Sequence, residues 1–364
     1  MTKNLAAYFI PCLVLLMGLP ALAQQGSPGA RSATETVNAG SQQGAAGAPD
    51  GPRAARLTTS TLPDTPQSAA HKQAAMRLAG SDPMLAKAYG FFCTPTRYND
   101  PGAELAPTKV FDNLYAIPSS PSQQTIVWAI TTNNGIILID AGFPGTTEAV
   151  LKGIRQVGLN PADVKYILLG HGHADHYAAA SYFQEQYGTR VGAGAADWDL
   201  MHPPGGRAIS TNPDEPPRPK RDLVLKEGVP VTLGGQTVHV VEIPGHTAGS
   251  LAFIFSVRER GATHTAGLFG GMILDQPRIT SEGLNQYLGS VAHYLELAKK
   301  MRVDVEIQNH AIFDDTPARL GKLATRKPGE PNPFLMSTDK YVALWTVVSE
   351  CIRAEIARRP PGSK

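Results

Sequence analysis

Six successive positions near the middle of the chain, His171-Gly172-His173-Ala174-Asp175-His176, constrain its fold more than any other stretch. Three imidazoles and one carboxylate stand there within a single turn. They follow Tyr166-Ile167-Leu168-Leu169, a compact apolar run that reads as a buried strand. They precede residues 177–187, which are helical in composition. The ligand-type side chains therefore leave a strand end, where layered α/β folds display chemistry. Imidazole is the commonest side-chain metal ligand, and a carboxylate adds charge for a second ion. A tight turn can aim His171 and His173 at one ion and Asp175 and His176 at a neighbour ~3.5–4 Å away, the separation of two-metal sites. A solvated polar loop is the alternative, and a lone histidine would belong to it.

Two histidines downstream have matching contexts. Residues 236–243 alternate like a strand and run into Pro244-Gly245-His246-Thr247-Ala248-Gly249-Ser250. Residues 303–308 read as a further strand, ended by Asn309-His310-Ala311. Either histidine alone would be weak evidence; with the first cluster they form an ordered set at strand ends. His71, His239, His264 and His293 lack such contexts and read as structural or surface residues. His202 reads as a plain loop histidine, because no ligand-type neighbour stands at metal-site spacing.

The order His171-x-His173-x-Asp175-His176 resembles the H-x-H-x-D-H signature of the metallo-β-lactamase fold superfamily, and the likeness runs from about residue 110 to about residue 313. The resemblance implies an α/β fold, the αββα sandwich, with metals at one edge of the sheets. Periodicity alone gives only mixed α and β. The stretch around His246 is similar to the superfamily's G-H-T-x-G-S, whose histidine completes a first zinc site with the equivalents of His171 and His173. The equivalents of Asp175, His176 and His310 form a second site, Asp175 having a catalytic part as well. Asp140, in Asp140-Ala141-Gly142, matches an aspartate that supports the metals from behind; a plain turn residue is the other reading, and both can hold. Three neutral imidazoles and an open position make a catalytic rather than a structural zinc site. Two zinc ions per chain are thus implied, with a metal-bound hydroxide attacking a carbonyl carbon.

One departure bears on the substrate. Superfamily hydrolases such as glyoxalase II and lactonases carry a metal-bridging aspartate on a strand after the equivalent of His246, and another β-lactamase subclass carries a cysteine. The equivalent stretch here, Gly267-Leu268-Phe269-Gly270-Gly271-Met272, offers neither. Asp275 reads as a strand-end turn residue, or as a ligand if the register shifts. The pattern then most resembles the third subclass of class B metallo-β-lactamases, though the serine that usually holds the substrate carboxylate there is absent. Arg278 or Lys220 can supply positive charge, but no feature of the sequence places them. The expected activity is β-lactamase-like cleavage of a cyclic amide in a small-molecule substrate. The alternative is zinc-dependent hydrolysis of another ester, lactone or thioester, and a non-catalytic binding module would have been free to lose ligands.

With 364 residues, 42% hydrophobic and 18% charged, the chain suits one sizeable domain with its own core. A formal charge of +2 is too mild to argue for nucleic acid. Residues 1–23 read as a secretory signal: Lys3, an apolar middle, then Ala21-Leu22-Ala23 as a cleavage site. The apolar run is short for a stable membrane span, and Pro11 interrupts it. An exported protein, periplasmic or secreted, is expected. Residues 24–67 read as a disordered linker, residues 68–359 as the catalytic domain with a closing helix, and residues 360–364 as a tail. The mature chain keeps Cys93 and Cys351, which in an oxidising compartment can bridge or remain two buried thiols. Residues 202–222, with six prolines, read as a long loop over the site.

Overall fold

Alternate strand residues face opposite sides of a sheet, so a strand apolar on both faces feeds two cores at once. The segment Thr125–Thr132 does this: Ile126, Trp128 and Ile130 join one apolar cluster, Val127 and Ala129 another. The computed structural model describes residues 58–96, 104–120, 125–203, 215–274, 276–277, 279–312 and 314–360. Among them, helices α1 (Pro66–Ala79) and α2 (Pro83–Cys93) come first. Strands β1 (Thr108–Phe111), β2 (Leu114–Ser120), β3 (Thr125–Thr132) and β4 (Gly135–Ile139) follow as an antiparallel run. Helix α3 (Thr147–Gln156) crosses to β5 (Val164–Leu168), which lies parallel to β4. Then come α4 (Ala174–Tyr177), α5 (Ala180–Tyr187), β6 (Arg190–Ala193), α6 (Ala195–Met201) and β7 (Leu223–Val224). These seven strands pair in chain order, β1 to β7.

The second sheet contains β8 (Val231–Leu233), β9 (Gln236–Glu242), β10 (Leu251–Glu259), β11 (Ala262–Phe269) and β12 (Val305–Glu306). Its order is β12-β11-β10-β9-β8, antiparallel except where β12 joins β11. Helix α7 (Ser281–Lys300) precedes β12, and α8 (Thr316–Ala324) and α9 (Thr338–Arg358) follow it. Ile126, Trp128 and Ile130 meet Leu251, Phe253 and Phe255 between the sheets. The outer face of the first sheet packs Val127 and Ala129 on Val150, Ile154, Phe183 and Trp198. The outer face of the second packs Ala252, Ile254 and Phe269 on Tyr287, Tyr294, Leu344 and Trp345. That is the expected αββα sandwich.

Several elements differ from the sequence reading. The β-rich run 110–117 is two strands. Asp112 and Asn113 turn the chain, Phe111 pairs with Leu114, and buried Asn113 donates to Ser256 O at 3.3 Å and accepts from Arg258 N at 2.8 Å. The helix expected over 177–187 breaks after Tyr177, because the N–H groups of Ala178 and Ala179 donate to Gly142 O and Ala141 O instead. Thr146 stands at the start of α3, yet its hydroxyl donates to Phe143 O and caps nothing. Strand β11 stops at Phe269, before Gly270, and β12 is only Val305–Glu306. Strands β7 and β8 and helix α8 were not anticipated.

The linker expected over 24–67 is shorter at its far end. Thr58 N–H donates to Thr96 O at 3.0 Å, Ser60 Oγ donates to Glu355 at 3.0 Å, and Thr65 caps α1. The segment read as signal (1–23), residues 24–57 of the linker and residues 361–364 of the tail lie outside the described residues, as do Asp275, Arg278 and positions 204–214 of the long loop. Cys93 and Cys351 form a disulfide, Cα–Cα 4.7 Å, that ties α2 to α9. No helix among the described residues is long and apolar enough to cross a membrane.

Candidate metal centre

Strands β5, β9 and β12 all end at the same edge of the sandwich, and each releases its histidines there. The turn after β5 starts at Gly170, whose N–H donates to Asp140 Oδ1 at 2.7 Å. A Cβ on Gly170 would lie 3.0 Å from Gly270 Cα, so the two sheets meet here backbone to backbone. This contact sets the depth of His171. Its Nδ1 lies 2.7 Å from Gly270 O. A carbonyl only accepts, so Nδ1 carries the proton and Nε2 presents its lone pair inward. His176 is oriented the same way by Asp140 Oδ2, 2.7 Å from its Nδ1.

The inward nitrogens converge. His246 Nε2 lies 3.0 Å from His171 Nε2 and 3.0 Å from His173 Nδ1. His310 Nε2 lies 3.1 Å from His176 Nε2, and Asp175 Oδ2 is 3.4 Å from His310 Nε2 and 3.5 Å from His176 Nε2. The rings of His171 and His176, 3.9 Å apart between centroids, join the two groups. Two triads, His171 with His173 and His246, and His171 with Asp175 and His176, each place their donor atoms within 4.8 Å of one another. His310 stands beside the second triad at the distances just given. All six expected donors are thus brought to one place, with Asp140 behind them.

Electrostatics separates the two groups. Burial, reinforced by the neighbouring histidines, holds His171 and His246 well below the usual imidazole pKa, so both stay neutral. Burial also opposes a charge on His176, but the carboxylates of Asp175 and Asp140 outweigh it and push the pKa up to about 10. Burial raises and His176 and His310 lower the carboxyl of Asp175; the histidines win, holding it well below its ordinary value. One group offers neutral lone pairs, and the other favours positive charge.

A divalent metal fits this donor set. Zinc takes nitrogen at ~2.0–2.1 Å, so tetrahedral ligand nitrogens lie about 3.3 Å apart. The spacings of 3.0–3.1 Å seen here are a few tenths of an ångström shorter. His171 Nε2 and His246 Nε2 face each other as neutral nitrogens, and His246 Nδ1 is buried without a hydrogen-bond partner. Lone pairs pressed together this way gain from a cation between them.

Two supporting residues escaped the sequence reading. Asn309 Nδ2 donates to Asp140 Oδ2 at 3.0 Å and to Gly270 O at 2.9 Å, touching the supports of both His176 and His171. Its place beside His310 is the one signal that could have exposed it. Asp197, in the first turn of α6, accepts from Gly172 N at 2.7 Å, Gly249 N at 3.0 Å and Thr247 Oγ1 at 2.8 Å. Burial raises its pKa, against these hydrogen bonds. Nothing in its spacing distinguishes it from a surface helix carboxylate. Other expected residues stay away from the site. His202 stacks on Trp198 and its Nε2 lies 2.8 Å from Pro219 O. His71, His264 and His293 pair with Glu350, Asp304 and Glu227, while His239 and Lys220 are exposed.

The family model of the metallo-beta-lactamase superfamily matches residues 121–258. A hydroxyacylglutathione hydrolase of Cereibacter sphaeroides is 37% identical over 216 residues, covering 52% of this chain and 76% of that protein. A second from the same species is 32% identical over 142 residues, 37% of this chain and 48% of that protein. The chain thus spans about half the length of several curated relatives it matches. Among solved structures, BJP-1, a subclass B3 metallo-beta-lactamase of Bradyrhizobium japonicum, superposes with a TM-score of 0.55 at 26% identity, over 67% of this chain and 91% of that one. The FEZ-1 metallo-beta-lactamase from Legionella gormanii shares the fold at 22% identity and a TM-score of 0.54, over 68% and 94%.

Proposed function

Since the chain belongs to the metallo-beta-lactamase superfamily, we propose that it is an exported hydrolase holding two zinc ions, with β-lactamase-like cleavage of a cyclic amide as its reaction. His171, His173 and His246 would hold one ion, and Asp175, His176 and His310 the other. The observation that carries this reading is the convergence of six donor atoms with, among the described residues, which exclude Asp275, no carboxylate between the two groups. In the stretch where related hydrolases carry that carboxylate, the Gly270 carbonyl instead stands behind the His171 ring, engaged by His171 Nδ1 and Asn309 Nδ2. A site of three histidines beside one aspartate and two histidines is the third-subclass pattern. The likeness to BJP-1, a subclass B3 metallo-beta-lactamase, supports the same choice.

Zinc, when bound, supplies Lewis acidity and acidifies a water molecule toward neutral pH. The side chains do the rest. His171 and His246, held neutral, keep their lone pairs available without a competing proton. Asp140 accepts from His176 Nδ1–H and so fixes the ring with Nε2 turned inward. Asp175, held ionised, accepts a hydrogen bond from the attacking water and so aims it at the carbonyl carbon. The apolar walls behind the site, Leu168, Leu251 and Ala311 among them, shield these charges from bulk water. The pattern of residues 1–23 supports export, and the disulfide suits an oxidising compartment.

A second reading, hydrolysis of a thioester, is favoured by the sequence relatives, which are hydroxyacylglutathione hydrolases. Metal analysis of the purified protein, beside a panel of a cephalosporin, a lactone and a glutathione thioester, separates the two. Close to two zinc equivalents and β-lactam turnover are expected. One equivalent or fewer from zinc-replete protein, or turnover of the thioester alone, would count against the first reading.

A further inference from the structure

The histidines of the first triad are not supported alike. His171 is anchored through its own ring, by Gly270 O. His246 is not: its Nδ1 is buried and has no hydrogen-bond partner among the described residues. Ring-to-partner hydrogen bonds normally orient a metal-ligating histidine. The position of His246 must therefore come from the backbone that carries it, the turn Pro244–Ser250. That turn closes on itself through Gly245 N to Thr247 O at 3.1 Å and Thr247 N to Ser250 Oγ at 3.0 Å. Besides the backbone bond from Leu251 N to Gly170 O at 2.8 Å, a buried carboxylate relates it to the other metal-bearing turn.

Asp197 is that link. Its Oδ2 accepts from Gly172 N, between His171 and His173, and from Thr247 Oγ1, the residue after His246. Its Oδ1 accepts from Gly249 N on the same turn. The packing leaves no slack: a Cβ on Gly249 would lie 2.5 Å from Asp197 N and 2.7 Å from its Cγ, and one on Gly172 would lie 3.0 Å from Asp197 O. Asp197 is 1% exposed, so these bonds are not diluted by water. A buried carboxylate that bonds only to the two turns, and to neither ring, fixes the distance between them.

We propose that Asp197 is a positioning residue for the first metal site, clamping the His171–His173 turn to the His246 turn so that three nitrogens meet on one ion. The proposal rests on the zinc assignment made above. Its test is zinc affinity, not activity. In Asp197→Asn one carboxylate oxygen becomes an NH2, which must face an N–H or hydroxyl donor; one side of the clamp opens while the volume stays. Chelator competition on the intact, disulfide-bonded protein should show one of its two zinc affinities falling about 10- to 100-fold and the other about threefold or less. Cobalt titration should show a matching change in only one of two visible-band sets. Thr247→Val removes one of the three bonds and should weaken the same ion about three- to tenfold; it carries the test if Asp197→Asn does not fold. Two unchanged affinities in either folded variant would overturn the clamp. So would an equal loss at both ions, which marks a general structural role. Wild-type protein that takes up no zinc would sink the metal assignment, and the clamp with it. Wild type that binds two ions while the variants match it sinks the clamp alone.

Discussion

Glu306 gives a test of the packing behind the site that needs no metal. It lies on β12, fully buried, beside buried Asp314 and Arg319. Its Oε1 accepts from Gln308 Nε2 at 2.7 Å, its Oε2 has no hydrogen-bond partner within 3.5 Å among the described residues, and the Tyr341 hydroxyl nearby helps to lower its pKa. Arg319 is committed elsewhere, to Asp314 Oδ2 and Glu306 O, both at 2.8 Å. Burial first, and then the Asp314 carboxylate, push the Glu306 carboxyl from 4.5 up to about 8, against Gln308 and Arg319. The folded chain therefore holds a proton there that the unfolded chain gives up above pH 4.5. Folding stability is fullest below the unfolded value and declines as pH rises through the folded value. At ~1.36 kcal/mol per unit, the loss between pH 5 and pH 8 is roughly 3–4 kcal/mol. Glu306→Gln keeps the shape and an acceptor for Gln308 but cannot ionise. Urea unfolding of both proteins at pH 5 and pH 8, with chelator present throughout, gives the difference; the terms from shared histidines cancel. The variant should gain roughly 3–4 kcal/mol on wild type over that interval. A constant difference between the two would show that Glu306 is ionised in the fold and refute the argument.

Three further outcomes follow from the same geometry. His246→Ala should abolish hydrolysis and lower zinc content while circular dichroism stays native, whereas His239→Ala, on an exposed position of β9, should keep both; equal losses would remove His246 from the ligand set. Thiol labelling of unfolded, unreduced exported protein should find no free thiol, and Cys93→Ser with Cys351→Ser should cost up to roughly 5 kcal/mol in a denaturant melt, because the bridge closes a loop of 258 residues; two labelled thiols would contradict the structure. Asp140→Asn should lower zinc affinity about 10- to 100-fold, because an amide is a poorer acceptor for the Nδ1–H that orients the His176 ring; unchanged affinity would make Asp140 a turn residue only.

The donor set was legible in the sequence because its chemistry is carried by residue identity. Few side chains bind zinc, and His171, His173, Asp175 and His176 are local enough for one turn to gather them. His246 and His310 could be added because each follows a strand, and strand ends at one sheet edge converge. The alternation of residues 236–243 likewise announced β9. Asp140 was legible in part: its place after β4 was visible, but not its left-handed backbone at φ 63°, which a short polar side chain tolerates at some cost.

What only the tertiary structure decided is the support of those donors. Gly270 serves through its carbonyl oxygen, a group every residue possesses, and no letter of the sequence marks which carbonyl will be used. Asp197 binds backbone N–H groups of two turns, at Gly172 and at Gly249, far apart in the chain, and Asn309 reaches Asp140 from 169 positions away. The pairing of Cys93 with Cys351 depended on α2 lying against α9, and the split of residues 110–117 into two strands on where Asn113 found its partners. Residue type determines which atoms can hold a metal. Which backbone groups hold those atoms in place is settled by nonlocal approach, since backbone donors and acceptors are the same at nearly every position.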